Sequence, residues 1–496
     1  MQEHLRALLY IVVIALIGFS IAKKLAPVGI PPLETKRWAT SWIIVLFLAF
    51  AAGNFWIYLI LSGVFIAIYN GNTVNKLAVF FVLLYIIPPL EASIPGFGLV
   101  NFLFVLSHPR FIILIILLPA AFEIASKNNF KFTSIWADKF LLVFIILMVV
   151  LKIRDTSFTD MLRVGFNSVT DMFLPYYVAS RSIKNLQQAK VVAYAFVTVA
   201  IVISLIAIFE SRRSWLVYSE LGTALGTGDP YGNYLGRAGS IRANSSLGHP
   251  IVMGYFVTIA IGFYLYLIPS ITHKWYKRIA GFILALGLYV PLSRGPWVGA
   301  LAMIIIYILL GKKAAKKLSV LFIAGLIALP ILTVLPGGEK FINLIPFFGK
   351  TETYNIDYRE QLFENAMTVI SRNLLFGSTD YLKTPEMLAM IQGEGIIDIV
   401  NTYLNIALDA GISGLALFIL VFAVVLIGIK NRLKQTKDKD SDFYLFGRCL
   451  IAILVSILIT IATAASIGTV PITYWAIVGL GVAYTKMNDQ SENQLT

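Results

Sequence analysis

The chain contains a single cysteine, Cys449, and only four histidines in 496 residues. One thiol cannot form an internal disulfide bond, and the scattered His4, His108, His249 and His273 lack the spacing of a zinc site. The sequence has no phosphate-binding glycine loop and no dinucleotide-binding fingerprint. We therefore expect neither a metal ion nor another cofactor. Cys449 lies within an apolar run, and we interpret it as a packing residue.

Charge is also scarce, because charged residues make up 13% of the chain while hydrophobic residues make up 58%, with a mean hydropathy of +0.82. Apolar runs close to the ~20 residues that a bilayer-crossing helix needs recur along the sequence. This pattern predicts an all-α, polytopic integral membrane protein, a single membrane domain over residues 1–496 with about 12–15 transmembrane helices. The first run has neither a basic leader nor a small-residue cleavage site, so we expect a retained span.

The apolar runs define the predicted spans. They fall at residues 5–22, 39–52, 53–69, 74–90, 110–125, 139–152, 166–180, 189–209, 250–268, 277–292, 296–311, 317–334, 402–429, 443–462 and 466–485. Gly53-Asn54 interrupts the stretch 39–69, which fits either one span or two short ones. The run 166–180 is short enough for a re-entrant segment.

The net charge of +14 is divided between loops, and its distribution predicts the orientation. By the positive-inside rule, the lysine-rich loop 430–442 and the tail 486–496 are cytoplasmic. The segments 210–249 and 335–400 then lie outside, and the longer one should contain a helix from Tyr358 to Arg372 and cover an active site. Without a soluble domain or aromatic interleaving, the basic residues do not indicate nucleic-acid binding.

Arg294 lies in a short hairpin between two apolar runs, within Leu292-Ser293-Arg294-Gly295-Pro296. A charge at the rim of a membrane is costly unless it is paired or functional. A guanidinium group can donate two parallel hydrogen bonds to a phosphate, so the hairpin predicts a phosphate site. The alternative is a tight turn whose arginine extends to the lipid headgroups.

The second polar segment runs from Arg237 through Arg242 to His249 and enters the span that starts at Pro250. Its small residues allow close backbone approach, its arginines can neutralise a phosphate, and its histidine lies at the mouth of the span. The alternative for His249 is a simple helix entry, with Pro250 in the first turn.

The third polar segment places Glu394, Asp398 and Asn401 at the start of the span 402–429. A helical start would put Asp398 and Asn401 on one face, although Asp398 could instead be the N-cap of that helix. Asp409 lies deeper in the same apolar span, and we expect it to have a buried partner.

These segments, in this order, resemble the O-antigen ligase and polymerase superfamily of membrane glycosyltransferases. The resemblance extends from about Phe173 to Phe422, through RANSSLGHP, LSRG, YRE…LLFGS and DIVNTYLNIALDAGISGLALF. It implies a GT-C-like enzyme of the bacterial inner membrane that transfers a glycan from undecaprenyl diphosphate to an acceptor outside the cytoplasm. Arg242 and Arg294 match the arginines that hold the diphosphate, and Arg359 matches the arginine that opens the loop helix.

The chain departs from the resemblance at the end of the long loop. Many superfamily members have a His-Asn pair there, whereas this sequence has Val400-Asn401. The acceptor-activating base must then be another residue, and Asp398, Glu394 and His249 are the candidates. Further candidates for substrate binding are Arg237, Asn401 and Tyr403.

The expected substrates are a polyprenyl-diphosphate-linked oligosaccharide and a glycan acceptor within the bilayer, and a chain-length regulator or a flippase are candidate partners. Polymerase and ligase activity both fit the resemblance. A transporter of the same lipid-linked glycans is the alternative class, although transporters normally show internal repeats or broken helices around a midplane site. A shape-type peptidoglycan polymerase shares the chemistry but matches the motifs less well.

Overall fold

The computed structural model describes residues 3–71, 75–98, 100–127, 135–155, 157–227, 236–237, 239–334, 353–392 and 395–487. The first helices are α1 (Glu3–Lys24), α2 (Pro32–Ala51), α3 (Phe55–Asn70), α4 (Lys76–Leu84), α5 (His108–Ile112), α6 (Leu118–Lys127), α7 (Trp136–Asp155), α8 (Phe158–Ser168), α9 (Leu174–Ser182) and α10 (Leu186–Arg213). One π-helical turn, Ile113–Leu117, joins α5 to α6, and another, Val169–Phe173, joins α8 to α9.

The later helices are α11 (Leu221–Leu225), α12 (Pro250–Leu267), α13 (Lys274–Tyr289), α14 (Arg294–Leu309), α15 (Ala314–Val334), α16 (Thr353–Arg372), α17 (Pro385–Leu388), α18 (Thr402–Gln435), α19 (Asp442–Ile461) and α20 (Val470–Lys486). Two antiparallel hairpins accompany them, β1 (Glu91–Pro95) with β2 (Phe102–Ser107) and β3 (Gly236–Arg237) with β4 (Ser240–Ile241).

Several helices are long and apolar enough to cross a membrane. In the part of the chain that the structure describes, six helices meet this condition by length and composition, and two shorter apolar helices, Phe55–Asn70 and Arg294–Leu309, accompany them. The predicted all-α polytopic class is confirmed. The predicted total of about 12–15 spans stays a prediction.

The predicted runs coincide with helices, and the ambiguous stretches are resolved. Residues 39–69 form two helices, because the Asn54 side chain accepts hydrogen bonds from the N–H groups of Trp56 and Ile57 and caps α3. The run 166–180 belongs to one helical segment from α8 through α9. The run 74–90 is shorter than a span, because α4 ends at Leu84 and the chain continues into the β1–β2 hairpin.

Helices α10 and α12 form the centre of the bundle. The apolar windows of these two helices are 83% and 78% buried, against 39% for α1, so α1 lies at the periphery. The ring of Phe196 on α10 packs against those of Phe81, Phe256 and Phe263, with centroids 4.7–5.4 Å apart. Gly262 contributes to this packing, because a Cβ there would overlap Ile453 of α19.

The bundle has two polar ends. We call the end formed by residues 237–249, 291–294 and 398–402 the arginine end. We call the end formed by residues 181–190, 310–317, 430–442 and 486–487 the lysine end. At the lysine end, Lys190 pairs with Asp442 at 2.7 Å, and the Tyr444 hydroxyl donates to the Leu310 carbonyl at 2.8 Å. These contacts join the starts of α10 and α19 to the end of α14.

The segment between α15 and α18 has its own small core at the arginine end. Leu362, Ala366, Val369 and Ile370 of α16 are buried together with residues of α17 and α18. The predicted helix from Tyr358 to Arg372 and its apolar face are confirmed. Residues 335–352 of the predicted loop 335–400 lie outside the described residues.

Helix α18 is broken at Gly411, whose φ of 67° and ψ of −169° are not helical. The N–H groups of Ile412 and Ser413 donate to the carbonyls of Leu374 and Leu375 at 2.9 and 3.2 Å. In return, the Ser378 N–H donates to the carbonyl of Leu408, one turn before the break, at 2.8 Å. The motifs LLFGS and DAGISG therefore complete each other's backbone hydrogen bonds, which a break in an apolar helix requires.

Asp409 has the partner that the sequence predicted. Its Oδ1 lies 2.6 Å from Nζ of Lys152, with side chains only 16% and 19% exposed. Arg154, two residues later in α7, donates to the Gly377 carbonyl at 3.0 Å. The end of α7 therefore holds both the broken helix and the segment that pairs with it.

We expect Lys152→Ala to lower the free energy of unfolding by about 2 kcal/mol, because it leaves the Asp409 carboxylate with less compensation in a mostly apolar site. Lys152→Met combined with Asp409→Leu should recover most of that loss, since it removes both charges. Thermal unfolding in detergent measures the effect. Lys127→Ala, which opens a largely exposed pair with Glu123, is the control and should change little. Equal unfolding temperatures for Lys152→Ala and the wild type would contradict this account.

Candidate functional site

Arg237 and Arg242 both bind the hairpin between α13 and α14. Arg237 Nη1 donates to the Leu292 carbonyl at 2.7 Å. Arg242 Nε donates to the Pro291 carbonyl at 3.1 Å, and its Nη2 donates to the Ser293 hydroxyl at 2.8 Å. Two of the three predicted polar segments are therefore in direct contact.

Glu210, at the end of α10, fixes the position of the segment that carries these arginines. Its carboxylate is fully buried and accepts hydrogen bonds from the N–H groups of Val217, Asn244 and Ser245 at 2.8–3.1 Å. Sequence reasoning missed this residue. The available signal was an acidic residue directly after the apolar run 189–209, where a charge needs a partner.

Arg294 is the first residue of α14, so its charge adds to the positive end of the helix dipole. Leu292 just before it has a φ of 50°, which makes the turn tight. Gly295 lies so close to the segment that follows α19 that a Cβ there would overlap the Thr463 hydroxyl. The position of Arg294 is therefore fixed by the packing of α14 rather than by a loop.

Arg359 brings the α16 segment to the same place. Its Nη2 donates to the Thr463 carbonyl at 3.2 Å, so Thr463 contacts both Arg359 and the start of α14. Partial burial lowers the pKa of Arg359, and the nearby charges of Arg237 and Arg294 lower it further. We call Arg237, Arg242, Arg294 and Arg359 the arginine cluster. Its cations come from three chain segments that are far apart in sequence.

Asp398 is an acidic residue beside this cluster. The negative charge of its carboxylate acts to raise the pKa of Arg359, and the positive charge of Arg359 acts to lower the pKa of Asp398. Desolvation is the larger effect, however, and the pKa of Asp398 is raised overall. The Tyr358 hydroxyl donates to the Asp398 carbonyl at 3.0 Å and ties this residue to α16.

Asn401, rather than Asp398, is the N-cap of α18. The Asn401 side-chain oxygen accepts from the N–H groups of Tyr403 and Leu404 at 2.9 and 3.3 Å. The alternative in which Asp398 caps the helix is wrong. Since α18 begins only at Thr402, Asp398 and Asn401 also do not share a helical face.

His249 is the N-cap of α12, as the helix-entry interpretation predicted. Its Nδ1 accepts from the Ile251 N–H at 3.2 Å, so the neutral ring carries its proton on Nε2. Burial, together with the charge of Arg242, lowers the pKa of His249 to about 4. The imidazole is therefore neutral at neutral pH and offers a hydrogen-bond donor rather than a free base nitrogen.

The two remaining predicted site residues are placed differently. The Tyr403 hydroxyl donates to the Leu458 carbonyl at 2.8 Å, and its ring meets Phe418 edge-on, so Tyr403 packs between α18 and α19. Glu394 lies outside the described residues. Among the described side chains, no group of three or more His, Cys, Asp or Glu residues is arranged to hold a metal ion.

The fold and the site together define a polytopic all-α membrane protein with a cationic cluster and a nearby carboxylate at one end. Residues 279–419 match the sequence model of the O-antigen ligase family. The match includes Arg294, Arg359 and Asp398, and it confirms the resemblance stated from the motifs over this part of the chain. It supports a role in ligating or polymerising membrane-bound glycans. No curated protein matches the chain in a sequence search.

Proposed function

We propose that the protein transfers a glycan from a polyprenyl-diphosphate-linked oligosaccharide to an acceptor hydroxyl, and that the arginine end faces out of the cytoplasm. The observation that supports this most strongly is the arginine cluster, in which guanidinium groups from three chain segments come together beside the carboxylate of Asp398. A diphosphate is the natural ligand for several guanidinium groups that converge from separate segments. The lysine end faces the cytoplasm by the positive-inside rule.

The reaction needs little from the protein beyond charge and position. The acceptor oxygen forms a bond to the anomeric carbon, the bond from that carbon to the diphosphate breaks, and polyprenyl diphosphate leaves. Arg242, Arg294 and Arg359 stabilise the negative charge that develops on the leaving diphosphate. The His249 Nε2–H donates a further hydrogen bond to a phosphate oxygen.

Asp398 accepts the proton of the acceptor hydroxyl. Its raised pKa, caused by desolvation, makes the ionised carboxylate a stronger base than that of an ordinary aspartate. His249 is the weaker candidate, because its Nδ1 is occupied by the Ile251 N–H. Glu394 stays a candidate from the sequence.

The broken helix α18 is the one observation that favours a transporter. Discontinuous helices in transporters expose backbone groups to a substrate site near the bilayer midplane. Here the backbone groups at the break are satisfied by residues 374–378, and the charged residues of the site gather at one end of the bundle. Both features favour an enzyme with its site at the membrane surface over a transporter.

The purified protein, reconstituted with one defined lipid-linked oligosaccharide and a glycan acceptor, tests the proposal. A ladder of products on a gel indicates a polymerase, and a single larger product indicates a ligase. Movement of the donor across the vesicle membrane without a new glycosidic bond would reject the proposal in favour of transport.

The pH dependence of transfer tests the role of Asp398. The carboxylate is active when ionised, so kcat/KM should fall on the acid side as the pH drops through its raised pKa. Removing Arg359 removes a charge that lowers this pKa, so Arg359→Ala should move the acid limb to higher pH as well as lower the rate. Arg372→Ala, which removes an exposed arginine from the same helix, is the control and should leave the limb in place. An unmoved limb in Arg359→Ala would contradict the assignment.

A further inference from the structure

The lysine end contains a cavity that the proposed transfer reaction does not use. It lies between the ends of α9 and α20, at the opposite end of the bundle from the arginine cluster, and has a volume of about 220 Å³. Its location is fixed by Arg432, which donates to the Met487 carbonyl beside the cavity. The volume exceeds that of several water molecules, so a polar group with its hydration fits inside.

Arg181 lines the cavity and forms a fully buried ion pair with Asp138 behind it. Arg181 Nη2 lies 2.6 Å from Asp138 Oδ2, with side chains 3% and 0% exposed. The Tyr176 hydroxyl donates to the other Asp138 oxygen at 2.6 Å, and the Arg181 guanidinium stacks near the ring of Tyr177. Asp138 therefore neutralises Arg181 and holds it rigidly at the cavity wall.

Two lysines add positive charge at the rim of the cavity. Lys184 and Lys486 line the same cavity, and both are exposed. At the same end of the bundle, Asp442 at the start of α19 pairs with Lys190 of α10. The apolar walls are contributed by Ile183 and Met487. A cationic rim above an apolar wall, at the end of membrane-spanning helices, is the arrangement that anionic lipid headgroups recognise.

We propose that this cavity binds the phosphate of an anionic phospholipid from the leaflet at the lysine end. The two lysines attract the phosphate as point charges, Arg181 provides a fixed donor group behind them, and the apolar wall contacts the glycerol and the upper acyl chain. Such a lipid would bridge the ends of α9 and α20. The site is independent of the arginine cluster, so the proposal does not rest on the transfer reaction.

The test is native mass spectrometry of the detergent-solubilised full chain titrated with phosphatidylglycerol and, separately, with phosphatidylcholine. Lys184→Ala and Lys486→Ala should each lower the affinity for phosphatidylglycerol about fivefold, and together by the product of the two. Binding of phosphatidylcholine should not change. The control is Lys316→Ala with Lys430→Ala, which removes two exposed lysines elsewhere at the same end and should leave the affinity unchanged.

The source of the phosphate is tested by adding glycerol phosphate to the same titration. A lipid site is expected to bind phosphatidylglycerol while glycerol phosphate fails to compete at equal concentration. Full competition by glycerol phosphate would overturn the lipid assignment and indicate a soluble anion. Equal losses in the control pair and in the Lys184/Lys486 pair would also overturn it, because they would show only a general attraction to positive charge.

Discussion

Arg294→Ala is expected to lower glycan transfer by about 100- to 1000-fold, the loss that follows from removing one fixed donor that stabilises a developing negative charge. The side chain extends from the first residue of α14, where the packing of Gly295 against Thr463 fixes its position. The effect should appear in kcat as well as in KM, since the charge on the diphosphate grows as the bond to the sugar breaks. Initial rates with a lipid-linked oligosaccharide measure it.

Two further variants separate charge from geometry. Arg294→Lys should restore only part of the rate, because an ammonium group cannot donate two parallel hydrogen bonds to a phosphate. Arg213→Ala removes an exposed arginine at the end of α10, near the same end of the bundle, and should behave as the wild type. Arg242→Ala should also abolish transfer, but it additionally loosens the hairpin through Pro291 and Ser293. Wild-type rates in Arg294→Ala would contradict the proposal that Arg294 stabilises the leaving diphosphate.

Gly411→Ala is expected to destabilise the protein by at least about 3 kcal/mol, because the backbone at this position is one that only glycine adopts readily. A Cβ at Gly411 would also overlap the carbonyl group of Leu375. The hydrogen bonds between α18 and residues 374–378 should therefore be lost. Thermal unfolding and limited proteolysis of residues 353–392 both report the change.

Gly325→Ala provides the matched control for this variant. Gly325 lies within α15, and a Cβ there meets nothing within 4 Å. The substitution should leave the unfolding temperature unchanged or raise it slightly, since alanine is the better helix former. If Gly411→Ala and Gly325→Ala were equally stable, the break in α18 would not have the structural role given to it here.

The helices could be predicted from the sequence because apolar runs of membrane length leave the backbone few alternatives. The small core of α16 was also predictable, since Leu362, Ala366, Val369 and Ile370 repeat with helical spacing. The sequence predicted that Asp409 would have a buried partner, but it did not predict which residue the partner is. Nothing in the sequence near Asp409 indicates Lys152, which is 257 positions away.

Other features depend on tertiary contacts that no local pattern encodes. The apolar run 74–90 looks like a full span in the sequence, yet its helix is short and the chain continues into the β1–β2 hairpin. Only the pairing of β1 with β2 distinguishes this arrangement from a span. The break at Gly411 depends on the carbonyl groups of Leu374 and Leu375 and on the N–H group of Ser378. Glu210 accepts hydrogen bonds from the backbone N–H groups of Val217, Asn244 and Ser245. Nearly every residue has such a group, so the sequence does not indicate which residues will bind Glu210.

The arginine cluster was predictable in its members but not in its geometry. The sequence identified three of the arginines from polar segments next to apolar runs, and the fourth, Arg359, from the family resemblance. The structure adds that Arg237 and Arg242 bind the hairpin that precedes Arg294. The choice of base was also left open by the sequence. The capping role of His249 now leaves Asp398 as the strongest described candidate.

The central claim is that the arginine cluster promotes departure of a lipid diphosphate as a glycosidic bond forms. Mass spectrometry of the lipid products from purified protein and a defined donor tests it most directly. The account predicts one polyprenyl diphosphate released for each new glycosidic bond in the wild type and in Arg213→Ala, and almost none in Arg294→Ala. Intact donor on the opposite side of the vesicle membrane, with no polyprenyl diphosphate released, would contradict it.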